Sequence, residues 1–279
     1  MLSTCNRFEI YGVAQDAFEA KARIDIFKSR FGKLFNSGYF IYGSDNVFRH
    51  LVRLAAGLES QIKGESQIYS QLSSWAEQES FPEKLAAMTY DALLLSHEIR
   101  SASGLKLHEN NIATLLYEYI LKMNDSDDLL NIVVAGTGNI ARLFARYKPK
   151  ETRLYFAAQK NIFKAHKLAE QSQGHALLLR DLPELLLKTD ILISATSSPH
   201  RIFSKDYFSR IAALREKELH IYDLAVPRAV DPEAKNINGI VLNNIDDLSG
   251  IFEKHNRSLE AVLNGSNFKN RYAAEPVSH

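Results

Sequence analysis

Apolar residues in the first half of the chain recur mostly at spacings of three and four, the mark of amphipathic helices. The spacing predicts a helix over 16–31, with Phe18, Ala22, Ile26 and Phe27 on one side and Asp16 as N-cap. A second runs over 45–58, with Val47, Leu51, Leu54, Ala55 and Leu58 in a stripe and Gly57 marking a bend or stop. The pattern continues over 66–78, 83–101 and 112–123. One short strand precedes these helices, over 8–13, where Phe8, Ile10 and Gly12 alternate imperfectly with Glu9, Tyr11 and Val13.

The rhythm changes after the polar break Asn124-Asp125-Ser126-Asp127-Asp128. Short apolar runs at 131–135, 153–158, 177–179, 190–195, 219–223 and 239–242 read as strands. Helical segments fall between several of them: Ile140, Leu143, Phe144 and Tyr147 at helical spacing, then 162–171 and 181–187. Strands alternating with helices imply a parallel sheet covered on both faces. A last helix is expected over 246–263, running into a polar tail. No internal repeat or low-complexity segment interrupts this order.

Composition changes the picture little. The 279 residues suit two domains, and 46% hydrophobic with 24% charged residues is ordinary for a globular chain. The single cysteine can form neither an internal disulfide nor a cysteine-based metal site, so a reducing cytoplasm is expected and no metal is. No apolar run reaches membrane-spanning length, and no signal-peptide pattern opens the chain. A net charge of +1 gives no compositional support for nucleic-acid binding, and no dense basic stripe stands out.

Gly136-Thr137-Gly138-Asn139-Ile140-Ala141 follows an expected strand and opens an expected helix, the setting a dinucleotide fingerprint requires. The first glycine permits the tight turn, and the second lets backbone approach a pyrophosphate. Ala141 is small enough to keep helix and strand close. An NAD site usually places an acid at the end of the next strand. Here that place reads Ala157-Ala158-Gln159-Lys160-Asn161. The missing carboxylate, with Lys160 as a cation for a 2′-phosphate, favours NADPH. The plainer reading of Lys160 is a solvated surface lysine.

Cys5 sits in Ser3-Thr4-Cys5-Asn6-Arg7-Phe8-Glu9-Ile10-Tyr11. A lone cysteine is most often a small buried hydrophobe. A thiol is also the readiest nucleophile among side chains, and a guanidinium two residues away favours its thiolate. This segment resembles the signature of glutamyl-tRNA reductase. So do Gly57-Leu58-Glu59-Ser60-Gln61-Ile62-Lys63-Gly64-Glu65-Ser66-Gln67-Ile68, Ser194-Ala195-Thr196-Ser197-Ser198-Pro199-His200, Asp223-Leu224-Ala225-Val226-Pro227-Arg228 and Asn244-Ile245-Asp246-Asp247-Leu248. The resemblance runs over nearly the whole chain.

The resemblance implies an α/β fold: an N-terminal α+β catalytic domain over 1–124, a Rossmann-type doubly wound NADPH-binding domain over 125–245, and the start of a C-terminal spine helix with a polar tail over 246–279. It implies NADPH-dependent reduction of glutamyl-tRNA(Glu) to glutamate-1-semialdehyde through a cysteine thioester, the first step of tRNA-dependent 5-aminolevulinate and tetrapyrrole synthesis. Cys5 would be the nucleophile and His50 a second catalytic residue assisting proton transfer, although a lone helical histidine is often structural. Substrate contacts would come from Thr4, Asn6, Arg7, Ser60, Glu65, Ser66, Gln67 and Gln71. Arg7 suits the free carboxylate and Glu65 the α-ammonium. Cofactor contacts would come from Gly136, Thr137, Gly138, Asn139, Ile140, Ala141 and Lys160. Implied partners are glutamyl-tRNA(Glu) and glutamate-1-semialdehyde aminomutase, in a cytoplasmic setting.

Family members carry a further strand and helix before the cysteine motif, and a long spine helix with a dimerisation domain after the last strand. The chain is therefore expected to lack both, with family-type dimerisation weak or absent. Two other classes compete with the enzyme: a non-catalytic paralogue that binds nucleotide, tRNA or a protein partner, and an oxidoreductase of shikimate-dehydrogenase type. The Cys5 segment and the cluster from Ser60 to Gln71 argue against the latter.

Overall fold

The computed structural model describes residues 2–3, 8–31, 40–78, 81–102, 110–124, 128–196 and 198–265. The chain forms two compact units, Met1–Asn110 with His255–His279, and Asn111–Lys254.

The first unit is mainly helical. Strands β1 (Leu2–Ser3) and β2 (Phe8–Glu9) pair antiparallel, Leu2 opposite Glu9. Of the strand expected over 8–13, Phe8–Glu9 is strand, paired with Leu2–Ser3 among the described residues. Helix α1 (Ala17–Phe31) starts where Asp16 Oδ1 accepts from Glu19 N–H at 2.8 Å, while Glu19 Oε2 accepts from Gln15 N–H at 2.7 Å. Helices α2 (Ser44–Ala55), α3 (Gln67–Ala76) and α4 (Glu83–Ala102) follow. Their inward residues Leu51, Leu54, Ile68, Leu72, Ala92 and Ile99 share one core with Leu2.

The second unit opens with α5 (Ile112–Met123), started by a reciprocal cap between Asn111 and Thr114. The buried Tyr117 hydroxyl of α5 donates to Phe144 O at 2.9 Å, with the two rings edge to face. Six parallel strands follow: β3 (Leu130–Ala135), β4 (Thr152–Ala158), β5 (His175–Leu178), β6 (Ile191–Ser194), β7 (Leu219–Asp223) and β8 (Ile240–Asn244). Their order is β5-β4-β3-β6-β7-β8, the doubly wound arrangement expected from the sequence. Between them run α6 (Asn139–Arg146), α7 (Ile162–Ser172), α8 (Leu182–Leu186) and α9 (Lys205–Ala212). The pattern reading leaves α9 unassigned: at eight residues it buries only Phe208 and Ile211. Helix α10 (Ser249–Gly265) closes the described chain, starting three residues later than expected. No described helix is long and apolar enough to cross a membrane.

The sheet reverses direction of winding between β3 and β6. Ala135 pairs with Ala157 on one side and Ser194 on the other. Ligands of open parallel sheets bind outside the strand C-termini at this point.

Candidate active site and nucleotide cradle

Past the end of α2 the chain doubles back at Gly57, whose φ of +76° is costly for any residue with a Cβ. A Cβ there would lie 2.5 Å from Glu65 O. Gly57 O accepts from Ser60 N–H at 3.4 Å and from Gly64 N–H at 3.0 Å. Arg100, 1% exposed on α4, clasps the same loop. Its guanidinium donates to Ala56 O at 3.1 Å and Gly64 O at 2.9 Å, with a longer contact to Glu65 O at 3.5 Å. From the other end of the chain, His255 Nε2 lies 3.0 Å from Lys63 O, and Asn256 bonds Lys63 N–H and Gln61 O at 2.9 Å each.

The held loop presents polar groups with nothing to bind. Ser60 Oγ and, on α3, Gln71 Oε1 are buried without a hydrogen-bond partner. Burial pushes the Glu65 carboxyl up to about 7. A buried polar atom left unpaired costs about 1–3 kcal/mol. Among the described residues two such atoms and the desolvated Glu65 carboxyl fall within twelve residues of sequence. Ser66 sits at the α3 N-cap, and Gln67 is exposed in its first turn. Thr4, Cys5, Asn6 and Arg7 lie outside the described residues.

His50 is enclosed by charge. Its Nε2 lies 3.1 Å from Glu9 Oε2 and its Nδ1 3.0 Å from Glu59 Oε2. Arg53 Nε reaches Glu59 Oε1 at 3.1 Å, and the Tyr11 hydroxyl donates to Glu9. Burial alone would depress the imidazole pKa, but Glu59 and Glu9 outweigh it and hold it at about 9. At neutral pH His50 is an imidazolium donating from both nitrogens. It ties β2, which follows the cysteine segment directly, to the loop carrying Ser60.

A group whose pKa is raised on folding from 6.5 to about 9 stabilises the fold fully below 6.5, and that stabilisation is lost as pH rises through 9. Thermal unfolding followed from pH 6 to pH 10 should therefore show stability falling across this window. His50→Gln should lower stability at pH 6 by about 3 kcal/mol and flatten the fall. An equally steep fall in the variant would remove His50 as its source.

In the second unit the glycine loop connects β3 to α6. Gly136 has φ +132°, and a Cβ on it would lie 2.3 Å from Ala195 O, just past the end of β6. Gly138 faces open space, with nothing within 4 Å of its Cβ position. It is the N-cap of α6 and supplies no side-chain bond, so the helix's first N–H groups remain open to an anion. Asn139 Oδ1 instead accepts from Arg142 at 3.0 Å, Ile140 is half-buried and Ala141 is buried against the sheet. Thr137 is half-buried in the turn and Lys160 is exposed after β4. These residues fit the diphosphate of a dinucleotide.

The sequence motif around Asp223 gains a physical role here. Its buried carboxylate, at the end of β7, accepts from Ala229 and Val230 N–H at 3.0 Å each and from Ala225 N–H at 3.3 Å. It thereby fastens the 224–230 loop, which contains the cis Val226–Pro227 bond. Ser194, its cross-strand partner, has a buried Oγ without a partner. Sequence reading quoted these motifs but assigned none of their residues a contact. It also passed over Glu9, Glu59 and Arg100. The available signals were an acid ending an apolar strand and an arginine inside the buried stripe Ala92, Leu93, Ser96, Ile99 of α4.

The fold defines an α/β protein with a Rossmann-type nucleotide-binding unit and a second, mainly helical unit. Residues 121–251 match the family model of shikimate / quinate 5-dehydrogenase, and residues 1–103 that of the glutamyl-tRNAGlu reductase N-terminal domain. The glutamyl-tRNA reductase of Desulfitobacterium hafniense is 28% identical over 270 residues, covering 93% of this chain and 61% of that protein. That of Methanococcoides burtonii is 31% identical over 260 residues, covering 91% and 61%. The chain spans about three-fifths of the length of these curated relatives. A solved glutamyl-tRNA reductase from Methanopyrus kandleri is 24% identical over 88% of this chain and 64% of that one, with a TM-score of 0.49. The chain is thus similar to glutamyl-tRNA reductases over nearly its whole length, and its first 103 residues match the N-terminal domain of that family.

Proposed function

We propose that this chain reduces glutamyl-tRNA(Glu) to glutamate-1-semialdehyde with NADPH, through a thioester on Cys5. The observation that carries the reading is that Ser60 Oγ, on a loop fixed by Arg100, and Gln71 Oε1, on the following helix α3, are buried without a partner among the described residues, with the desolvated Glu65 carboxyl between them in sequence. An amino-acid ester supplies what they lack: its α-ammonium can donate to Glu65 and to Gln71 Oε1, and its ester carbonyl can accept from the Ser60 hydroxyl. Arg7, with Thr4 and Asn6 beside it, suits the free side-chain carboxylate bidentately.

The Cys5 thiolate attacks the ester carbonyl. The carbon–sulfur bond forms, the carbon–oxygen bond to the terminal ribose breaks, and the ribose oxygen leaves as its hydroxyl, taking up a proton equivalent to the one the Cys5 thiol gave up on ionising. NADPH, when bound, supplies the hydride that converts the thioester to the aldehyde and returns the sulfur as thiolate. Gly136 to Ile140 would hold the diphosphate and Lys160 the 2′-phosphate. His50 contributes by fixing Glu9, four residues beyond Cys5, against Glu59. The aldehyde product implies a consuming enzyme of glutamate-1-semialdehyde aminomutase type, and the reaction belongs in the cytoplasm.

Incubating the protein with glutamyl-tRNA alone should place a glutamyl group on Cys5, read by mass spectrometry of the intact protein. Adding NADPH should yield semialdehyde. Cys5→Ser should give neither, and an unchanged rate in that variant would sink the mechanism.

A further inference from the structure

The near-neutral total charge hides a segregated one. Residues 142–167 contain eight lysines and arginines and one acid, Glu151, so this stretch carries +7 while the rest of the chain carries −6. Six of the eight lie on α6, the loop after it and α7: Arg142, Arg146, Lys148, Lys150, Lys164 and Lys167. Helices α6 and α7 pack against each other. All six are exposed except the half-buried Lys148. Among the described residues none of them forms an ion pair. In the same patch Phe163 is 76% exposed, directly before Lys164, and the Arg146 guanidinium lies over the Tyr147 ring.

We infer that the outer face of α6 and α7 is a docking surface for an RNA backbone. Unneutralised cations spread over two helices and a loop can meet several phosphates and release their counterions. An exposed aromatic among them is the platform on which an unpaired base stacks. A membrane-surface helix would need a broad apolar face. Phe163 is the only exposed large hydrophobic on α6 or α7. The choice of RNA rests on the acyl-tRNA reading above, and the three positions varied below lie outside the glycine loop that opens α6.

The test is binding of uncharged tRNA to the full chain, without NADPH, across a range of salt concentrations. The triple variant Arg146→Glu, Lys150→Glu, Lys167→Glu should bind at least tenfold more weakly at ~0.1 M salt. Its log–log salt slope should be shallower by about 2–3, near 0.9 per lost phosphate contact. A control reversal, Arg210→Glu, Lys217→Glu, Lys235→Glu, changes the net charge equally on the other elements of this unit and should leave affinity within twofold. NADPH affinity reports that the nucleotide unit is folded in both. If the reversal variant does not fold, the same three positions as glutamine should still weaken binding severalfold. Equal affinity in the patch variants, equal loss in the control, or no tRNA binding by the wild type overturns the proposal. So does loss of binding to anionic phosphatidylserine vesicles with tRNA binding intact. A chain that binds RNA through this patch but makes no semialdehyde would refute the reductase reading alone.

Discussion

Gly136→Ala should abolish NADPH binding and cost about 3 kcal/mol or more of stability. Two independent terms act at this residue. A φ of +132° lies where side chains are rarely tolerated, and such strain costs roughly 1–3 kcal/mol. The added Cβ would also sit 2.3 Å from Ala195 O and 2.7 Å from Ala195 C. That obstacle is backbone at the end of a central strand, so relief requires β3 and β6 to part where Ala135 pairs with Ser194. Gly138→Ala is the matched comparison, because nothing lies within 4 Å of its Cβ position. It should melt close to wild type yet weaken the nucleotide, since the methyl intrudes only on a bound diphosphate. Thermal melts and fluorescence titration with NADPH read both. Wild-type affinity in Gly136→Ala would show that the loop does not hold the cofactor.

Arg100→Met should destabilise the first unit by about 2–6 kcal/mol, about 1–3 for each of the two buried carbonyls left unpaired. The side chain keeps its bulk on α4 but loses every donor. The carbonyls of Ala56 and Gly64, at 3.1 and 2.9 Å from the guanidinium, would stay buried without it. Burial lowers the Arg100 pKa, yet a guanidinium remains charged through any accessible pH. Arg100→Lys should recover only part of the loss, because one ammonium cannot span carbonyls served by a fork. The loop it clasps carries Ser60 and Glu65, so on the function proposed above Arg100→Lys should also raise KM for the acyl-tRNA more than it lowers kcat. A Lys variant with wild-type KM would confine Arg100 to stability.

Periodicity made most of the architecture legible. Ile112–Met123 is a helix with the bounds its spacing predicts, and the runs at 131–135 and 219–223 are central strands. These elements bury one face or both, so their pattern is strong. The 8–13 strand fared worse: of it, Phe8–Glu9 is strand among the described residues. Helix α9 was hidden because two buried residues in eight make little periodicity. At the candidate site, the family resemblance named the groups expected to meet a ligand; Ser60 Oγ and Gln71 Oε1 are buried without a partner among the described residues, and the Glu65 carboxyl is desolvated. What holds them was not legible. Arg100 reaches its carbonyls across 36 to 44 residues, and Glu9 reaches His50 across 41. Such contacts are long-range facts of packing that no local spacing encodes. The basic face was missed for a different reason: a whole-chain sum cancels the +7 of residues 142–167 against the −6 of the rest.

The quartet of Glu9, His50, Arg53 and Glu59 sums to zero charge in a mostly buried place. Losing any one member strands another, so single replacements there are penalised while compensated pairs are not. Across relatives these four positions should accordingly drift as a block, with histidine, arginine and the two acids retained together or exchanged together for neutral residues.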